Sequence, residues 1–214
     1  MRCVLATRSV GKLRELVPML AQHGITGIGL TEAGVALLEA EAEIEAFDTF
    51  EANALAKARH FARVIGAACI ADDSGLAIDA LDGAPGVRSR RFASDHGRRE
   101  HGAATEDVAN AEAVIDACWD SGWAPPWAAR FICVVAYADA TREVVAHGSV
   151  EGHLVPERAG DGGFGYDPWF RSVDLGVTFA EASLQAKALV SHRARAMVSL
   201  LAQLRSDVAH GGTG

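Results

Sequence analysis

The chain has 214 residues, 50% of them hydrophobic and 22% charged, close to the globular average, which excludes an intrinsically disordered chain. With 28 acidic against 20 basic residues the net charge is −8. That field repels a phosphate backbone and argues against polymeric nucleic acid, while local Lys, Arg and a divalent cation can still hold a small nucleotide. No run approaches about 18 apolar residues, so no membrane-spanning segment is expected.

Met1 to Val4 leads directly into a β-like run, not a signal peptide, which points to the cytosol. Cys3, Cys69, Cys118 and Cys133 form no CxxC pair. They read as reduced, buried thiols, and their spacing does not suit zinc.

Residues 2–6 predict a strand that turns at Thr7-Arg8-Ser9-Val10-Gly11-Lys12 into a helix starting near Gly11. Leu13, Leu16, Val17 and Leu20 follow at helical spacing, with Pro18 inside the pattern and Gly24 ending it. Residues 25–30 suit a second strand. The acidic 32–45 segment shows no assignable element, and Glu41, Glu43 and Glu45 alternate as on a solvated strand face. Asp48, with Glu51 three residues on, reads as a capping box. The helix it opens carries Phe50, Ala54, Ala58, Phe61 and Ile65 on one face.

Residues 67–71 form an apolar strand running into Asp72-Asp73-Ser74-Gly75, and residues 76–81 continue extended. Asp82-Gly83-Ala84-Pro85-Gly86 is a loop. A polar stretch over 94–105 precedes a helix over 106–119, which 122–126 breaks. Residues 128–138 and 143–155 predict two strands joined as a hairpin across 139–142. A Gly-rich loop occupies 160–168. Residues 183–204 read as largely helical, with Ser191 capping the last section and Met197, Leu200, Leu201 and Leu204 as its apolar face. Residues 207–214 read as a flexible tail. Alternating strands and helices in the first half predict an α/β fold.

Four segments carry candidate chemistry. A strand-to-helix turn with a hydroxyl, a Gly and a Lys can hold phosphate, as Thr7 to Lys12 provides, though it lacks the first Gly of a Walker A loop. Read alone, it is an ordinary polar turn. Adjacent Asp72 and Asp73 after an apolar strand suit Mg²⁺, and one of them can take a proton from water. The bland alternative is a surface turn capped by its own side chains. Gly160 to Asp167 allows close backbone approach, with Phe164 and Tyr166 offering faces for a base, or else it is a surface loop with aromatics packed beneath. Lys187, Ser191, His192 and Arg193 can bind phosphate or a base carbonyl, or form a solvated basic face. His96 and His101 read as solvated, and Trp119, Trp123 and Trp127 as packing or dimer contacts.

Taken in order, these segments resemble the inosine triphosphate pyrophosphatase family, which removes non-standard purine nucleotides such as dITP, ITP and XTP. The likeness runs from about Val4 to Leu204. It rests on Ala6-Thr7-Arg8-Ser9-Val10-Gly11-Lys12, on the helix Thr49 to Ala58, and on Ala71-Asp72-Asp73-Ser74-Gly75-Leu76 with Gly83-Ala84-Pro85-Gly86-Val87. Gly162 to Pro168 and Ser191-His192-Arg193 complete it.

The resemblance implies Mg²⁺-dependent hydrolysis of a nucleoside triphosphate to the monophosphate and pyrophosphate. It implies an elongated two-lobed mixed sheet with flanking helices and a central nucleotide cleft. It further implies a single domain over 1–206 and a homodimer. Carried over, Asp73 is the general base and a metal ligand, with Asp72 and Glu45 as further metal carboxylates. Thr7, Arg8, Ser9, Val10, Gly11 and Lys12 form the triphosphate loop, and Ser74 is a substrate contact. Phe164, Gly165, Tyr166 and Asp167 form the base-binding loop, Lys187 binds substrate, and His192 with Arg193 read the base.

The chain departs from the family pattern at Ser9, where Asn is usual, and at Glu45-Ala46-Phe47, where Glu-Thr-Gly is usual. It departs again at Ala186 and Ala188, where Glu and Asn usually flank the lysine. Those departures leave two alternatives: a pyrophosphatase for another modified triphosphate, or a nucleotide-binding protein without turnover.

Overall fold

The computed structural model describes residues 2–37, 41–44, 46–97 and 105–210. Six strands form one mixed sheet: β1 (Arg2–Leu5), β2 (Thr26–Gly29), β3 (Cys69–Ile78), β4 (Trp127–Ala138), β5 (Glu143–Leu154) and β6 (Phe170–Ser172), ordered β2-β1-β3-β4-β5-β6. β1 runs parallel to β2 and to β3, while β6 pairs antiparallel with β5. The helices are α1 (Val10–Ala21), α2 (Glu41–Ile44), α3 (Phe50–Ile65), α4 (Phe92–Asp95), α5 (Glu106–Asp120), α6 (Leu184–Val190) and α7 (His192–His210). The fold is therefore α/β, a mixed sheet with flanking helices, as expected. Among the described residues no helix is long and apolar enough to cross a membrane.

The chain divides into two compact units. The first comprises residues 1–73, 133–148 and 192–214, and the second residues 74–132 and 149–191. In the first, Val4, Ala6, Ile28 and Leu30 pack with Ala54, Ala58 and Phe61 of α3 and with Val134, Ala136 and Ala138 of β4. The apolar stripe read from the sequence is thus the buried face of α3. The helix starts at a different cap than expected: Thr49, not Asp48, is the N-cap, its hydroxyl accepting the amide of Ala52. Thr49 has the extended backbone (φ −130°, ψ 143°) that a cap requires, which a spacing rule cannot see. Gly66 closes α3 in the left-handed conformation at φ 67°.

In the second unit, Leu76, Ile78, Phe92, Val114, Cys118, Trp127, Phe131, Tyr166, Trp169, Phe170 and Phe179 form the core. β4 and β5 meet as the expected hairpin, Asp139 donating its amide to the Arg142 carbonyl at 3.1 Å. Of the three tryptophans, Trp127 is core, whereas Trp119 and Trp123 are 52% and 68% exposed.

One further expectation changes. Residues 41–44 are helical, so the alternation of Glu41 and Glu43 does not mark a strand face; Glu45 lies outside the described residues. Residues 183–204 are largely helical as expected, in two helices that meet at Ser191, whose ψ of 152° is extended. α1 continues through Pro18 and ends at Ala21.

All four cysteines are free and buried. Burial pushes the thiols of Cys3, Cys69, Cys118 and Cys133 up to about 12. Because the thiolate is the reactive form, a thiol-disulfide reagent at pH 8 should label none of the four in the native protein and all four in denaturant; rapid native labelling would contradict this packing.

Candidate active site

The two carboxylates of β3 have separate environments because successive side chains on a strand point to opposite faces. Asp72 is 1% exposed. Its Oδ2 lies 3.1 Å from Lys12 Nζ and 3.1 Å from Arg193 Nε, and Lys57 Nζ donates to its carbonyl at 3.0 Å. Burial pushes the carboxyl up, but Lys12, Arg193 and Lys57 outweigh it and hold it well below the usual carboxylate range. Arg193 is itself 2% exposed and also pairs with Glu15 of α1. The Oδ1 of Asp72 is buried with no hydrogen-bond partner among the described residues.

Local sequence explains how these cations arrive. Ser9 caps α1 by accepting the Lys12 amide at 3.3 Å, which sets Lys12 in the first turn. Arg193 is the second residue of α7, and Gly148 of β5 lets that helix approach. A Cβ at Gly148 would overlap the His192 carbonyl oxygen and the Ala196 amide nitrogen. His192 is buried beside Arg193.

Asp73 is half-buried, and its Oδ2 accepts from Asn53 Nδ2 at 3.0 Å. Asn53 also bonds the backbone of Phe47 at both its N–H and its carbonyl. Asp73 thus meets the Asn53 amide, and Asp72 meets Lys12 and Arg193.

In the opening loop, Thr7 Oγ1 accepts the Ser9 amide at 3.1 Å, Val10 is exposed and Gly11 lies within α1. Arg8 forks onto Glu41, with Nε at 2.8 Å and Nη2 at 2.6 Å, and also bonds the carbonyls of Val35 and Ala36. Its guanidinium therefore ties this loop to Val35, Ala36 and Glu41.

The second unit holds the other predicted residues. Asp167 accepts the Phe164 amide at 2.8 Å and pairs with Lys187 Nζ at 2.6 Å, both charged side chains being almost fully buried. Lys187 Nζ stands 5.3 Å from the Phe164 ring centroid and 5.2 Å from that of Phe179. Gly163 has φ 71°, and a Cβ there would collide with the Asp167 carboxylate, so glycine is required twice over. The Gly165 amide donates to Asp107. Tyr166, expected to offer a face to a base, is instead core: it is 6% exposed and its hydroxyl donates to the Ser89 carbonyl at 2.6 Å. Ser74 is half-buried.

The first unit therefore brings Lys12, Asp72, Asp73, His192 and Arg193 together with the opening loop, and the second brings Phe164, Asp167 and Lys187 together. Sequence reading missed three participants: Asn53, Lys57 and Glu15. Asn53 and Lys57 are four residues apart on the face of α3 that also carries Ala54 and Ala58, and both are buried. A polar pair at helical spacing inside an apolar stripe was the available signal. Glu15, three residues after Lys12, had none.

Among the described residues, no three His, Cys, Asp or Glu side chains form a ready-made metal cage. Mg²⁺ rarely needs one, since it keeps waters and shares substrate phosphates with one or two carboxylates. Asp73, half-buried, is a carboxylate of that kind, whereas Asp72 points to the opposite face and is held by Lys12 and Arg193.

A mixed α/β sheet carrying adjacent aspartates, lysines and an arginine has the residue chemistry of phosphate handling. Comparison with known proteins narrows the class. A model of the Ham1 family matches residues 3–203. A dITP/XTP pyrophosphatase of Pectobacterium atrosepticum is 41% identical over 210 residues, covering 96% of this chain and 98% of that protein. The dITP/XTP pyrophosphatase of Escherichia coli K12 is 40% identical over 208 residues, with the same coverage. Among solved structures, a HAM1 protein from Coxiella burnetii superposes with a TM-score of 0.78 at 35% identity, covering 96% of this chain and 99% of that one. The chain belongs to the Ham1 family, which bears out the resemblance drawn from its motifs.

The Asp72 network has a measurable consequence. Its carboxyl is depressed in the folded state, so it contributes stability above its unfolded value, about 3.9, and that contribution is lost as pH falls below it. Asp72→Asn should cost about 3–5 kcal/mol at pH 7, because Lys12 and Arg193 lose a buried partner. Denaturant titrations at pH 7 and pH 3 should also show a smaller loss of stability in the variant than in wild type; equal losses would refute the assignment.

Proposed function

We infer that this chain is a nucleoside triphosphate pyrophosphatase that hydrolyses non-standard purine nucleotides, dITP, ITP and XTP, to the monophosphate and pyrophosphate. The observation that carries this is the near-complete correspondence with dITP/XTP pyrophosphatases at about 40% identity.

The environments described above support this site chemistry. Asp73, held by the Asn53 amide, orients the attacking water and accepts its proton. The water oxygen bonds to phosphorus at the α–β anhydride, the anhydride P–O bond breaks, and pyrophosphate departs. Lys12 and the opening loop meet the polyphosphate, whose negative charge they offset. Asp73, and Glu45 from outside the described residues, would hold Mg²⁺, while Asp72, expected as a further ligand, is engaged by Lys12 and Arg193. That ion supplies charge neutralisation for the phosphates when bound. Phe164 provides the aromatic face for the base, and Asp167 and Lys187 beside it contribute the polar contacts. Hydrogen bonds matched to a 6-oxo purine leave buried groups unpaired with the wrong base, which is how such a site discriminates. The enzyme works in the cytosol, and as a homodimer to which the exposed Trp119 and Trp123 offer apolar surface.

Pyrophosphate release from dITP, ITP, XTP, ATP, GTP and dUTP, with Mg²⁺ and with EDTA, tests this reading. The expected result is rapid release from the first three only, abolished by EDTA. Asp73→Asn should lower turnover by roughly 10²–10⁴-fold while nucleotide binding survives; a variant with normal turnover would remove Asp73 from the role of base.

A further inference from the structure

Asn53 lies in the first turn of α3, 2% exposed. Its Oδ1 accepts the Phe47 amide at 3.0 Å, and its Nδ2 donates both to the Phe47 carbonyl at 3.1 Å and to Asp73 Oδ2 at 3.0 Å. A carboxamide has two donor hydrogens and one acceptor oxygen, so donors and acceptor are all engaged. The network also sets its orientation. Flipping the amide would face its oxygen toward a carboxylate and a carbonyl, and its NH₂ toward an N–H.

We propose that Asn53 is a positioning residue for the hydrolytic reaction, fixing the Asp73 carboxylate and coupling it to the chain at Phe47. This rests on Asp73 acting as the base. An aspartate rotates broadly about χ2, so a carboxylate that must orient a water needs an external constraint. The Asn53 Nδ2 donor on Asp73 Oδ2 supplies one, and Asn53 is itself fixed by its two bonds to the Phe47 backbone. The same amide grips residue 47, two positions beyond Glu45. The carboxylate on β3 and the chain leading from Glu45 are thereby tied to one buried side chain. Asn53 touches no substrate in this account; it acts through Asp73.

Steady-state kinetics with dITP and Mg²⁺ test this on wild type, Asn53→Ala, Asn53→Gln, Asp73→Asn and the Asn53→Ala/Asp73→Asn double variant, each with its thermal midpoint. Asn53→Ala should lower kcat by about 10–100-fold, with KM within about threefold, since a misplaced group costs rate more than binding. Asn53→Gln keeps the amide and should recover part of the loss. The double variant should be no slower than Asp73→Asn alone, because a residue acting through Asp73 has nothing left to position.

If Asn53→Ala fails to fold, the Gln variant carries the test: a fall in kcat at unchanged KM supports the proposal, and wild-type kcat overturns it. Multiplying losses in the double variant, or a lowered midpoint with kcat intact, would also overturn it. An active wild type with a fully active Asn53→Ala sinks this inference alone. A wild type inactive on every triphosphate sinks the functional reading with it.

Discussion

The first unit is organised around one buried negative charge. Asp72 sits on β3 almost without solvent exposure, and leaving it unpaired there would cost several kcal/mol. Three cations from three helices answer it: Lys12 from α1, Lys57 from α3 and Arg193 from α7. Each depends on a local device: the Ser9 cap, the Thr49 cap, and the bare Gly148 against α7. Apolar burial holds these helices to the sheet without much preference for register. The ion network adds the preference, because Lys12 and Arg193 must reach the Asp72 carboxylate while Lys57 reaches its backbone carbonyl.

The neighbouring residue has different surroundings. The pleat of β3 turns Asp73 to the other face, toward the amide of Asn53. Two identical side chains, adjacent in sequence, thus acquire different environments. One is a buried, ion-paired anchor. The other is half-buried and bonded by a carboxamide.

The second unit repeats the principle with different parts. Asp167 and Lys187 form a buried pair, and the same carboxylate takes the Phe164 amide. The pair thereby sets the backbone that carries the Phe164 ring, and Gly163 is the residue that makes room for it. Tyr166, two residues on, gives its ring to the core and its hydroxyl to the Ser89 carbonyl, while the Phe164 ring lies beside Lys187.

Apolar periodicity by itself determined α3, α5 and the β4–β5 hairpin, because a stripe or an alternation registers the burial of a whole face. The order of the short motifs was enough to indicate the family, since each motif keeps its residues wherever the chain folds. Tertiary structure alone decided which carboxylate is the anchor, that Arg8 is tied to Glu41, that Tyr166 is core, and that Asn53 and Lys57 serve the β3 carboxylates. These roles depend on partners 15 to 121 residues away for Asp72, 33 for Arg8 and 77 for Tyr166. A side chain's charge and hydrogen-bonding capacity are written in its identity. What it does with them depends on which distant groups the fold brings within about 3 Å.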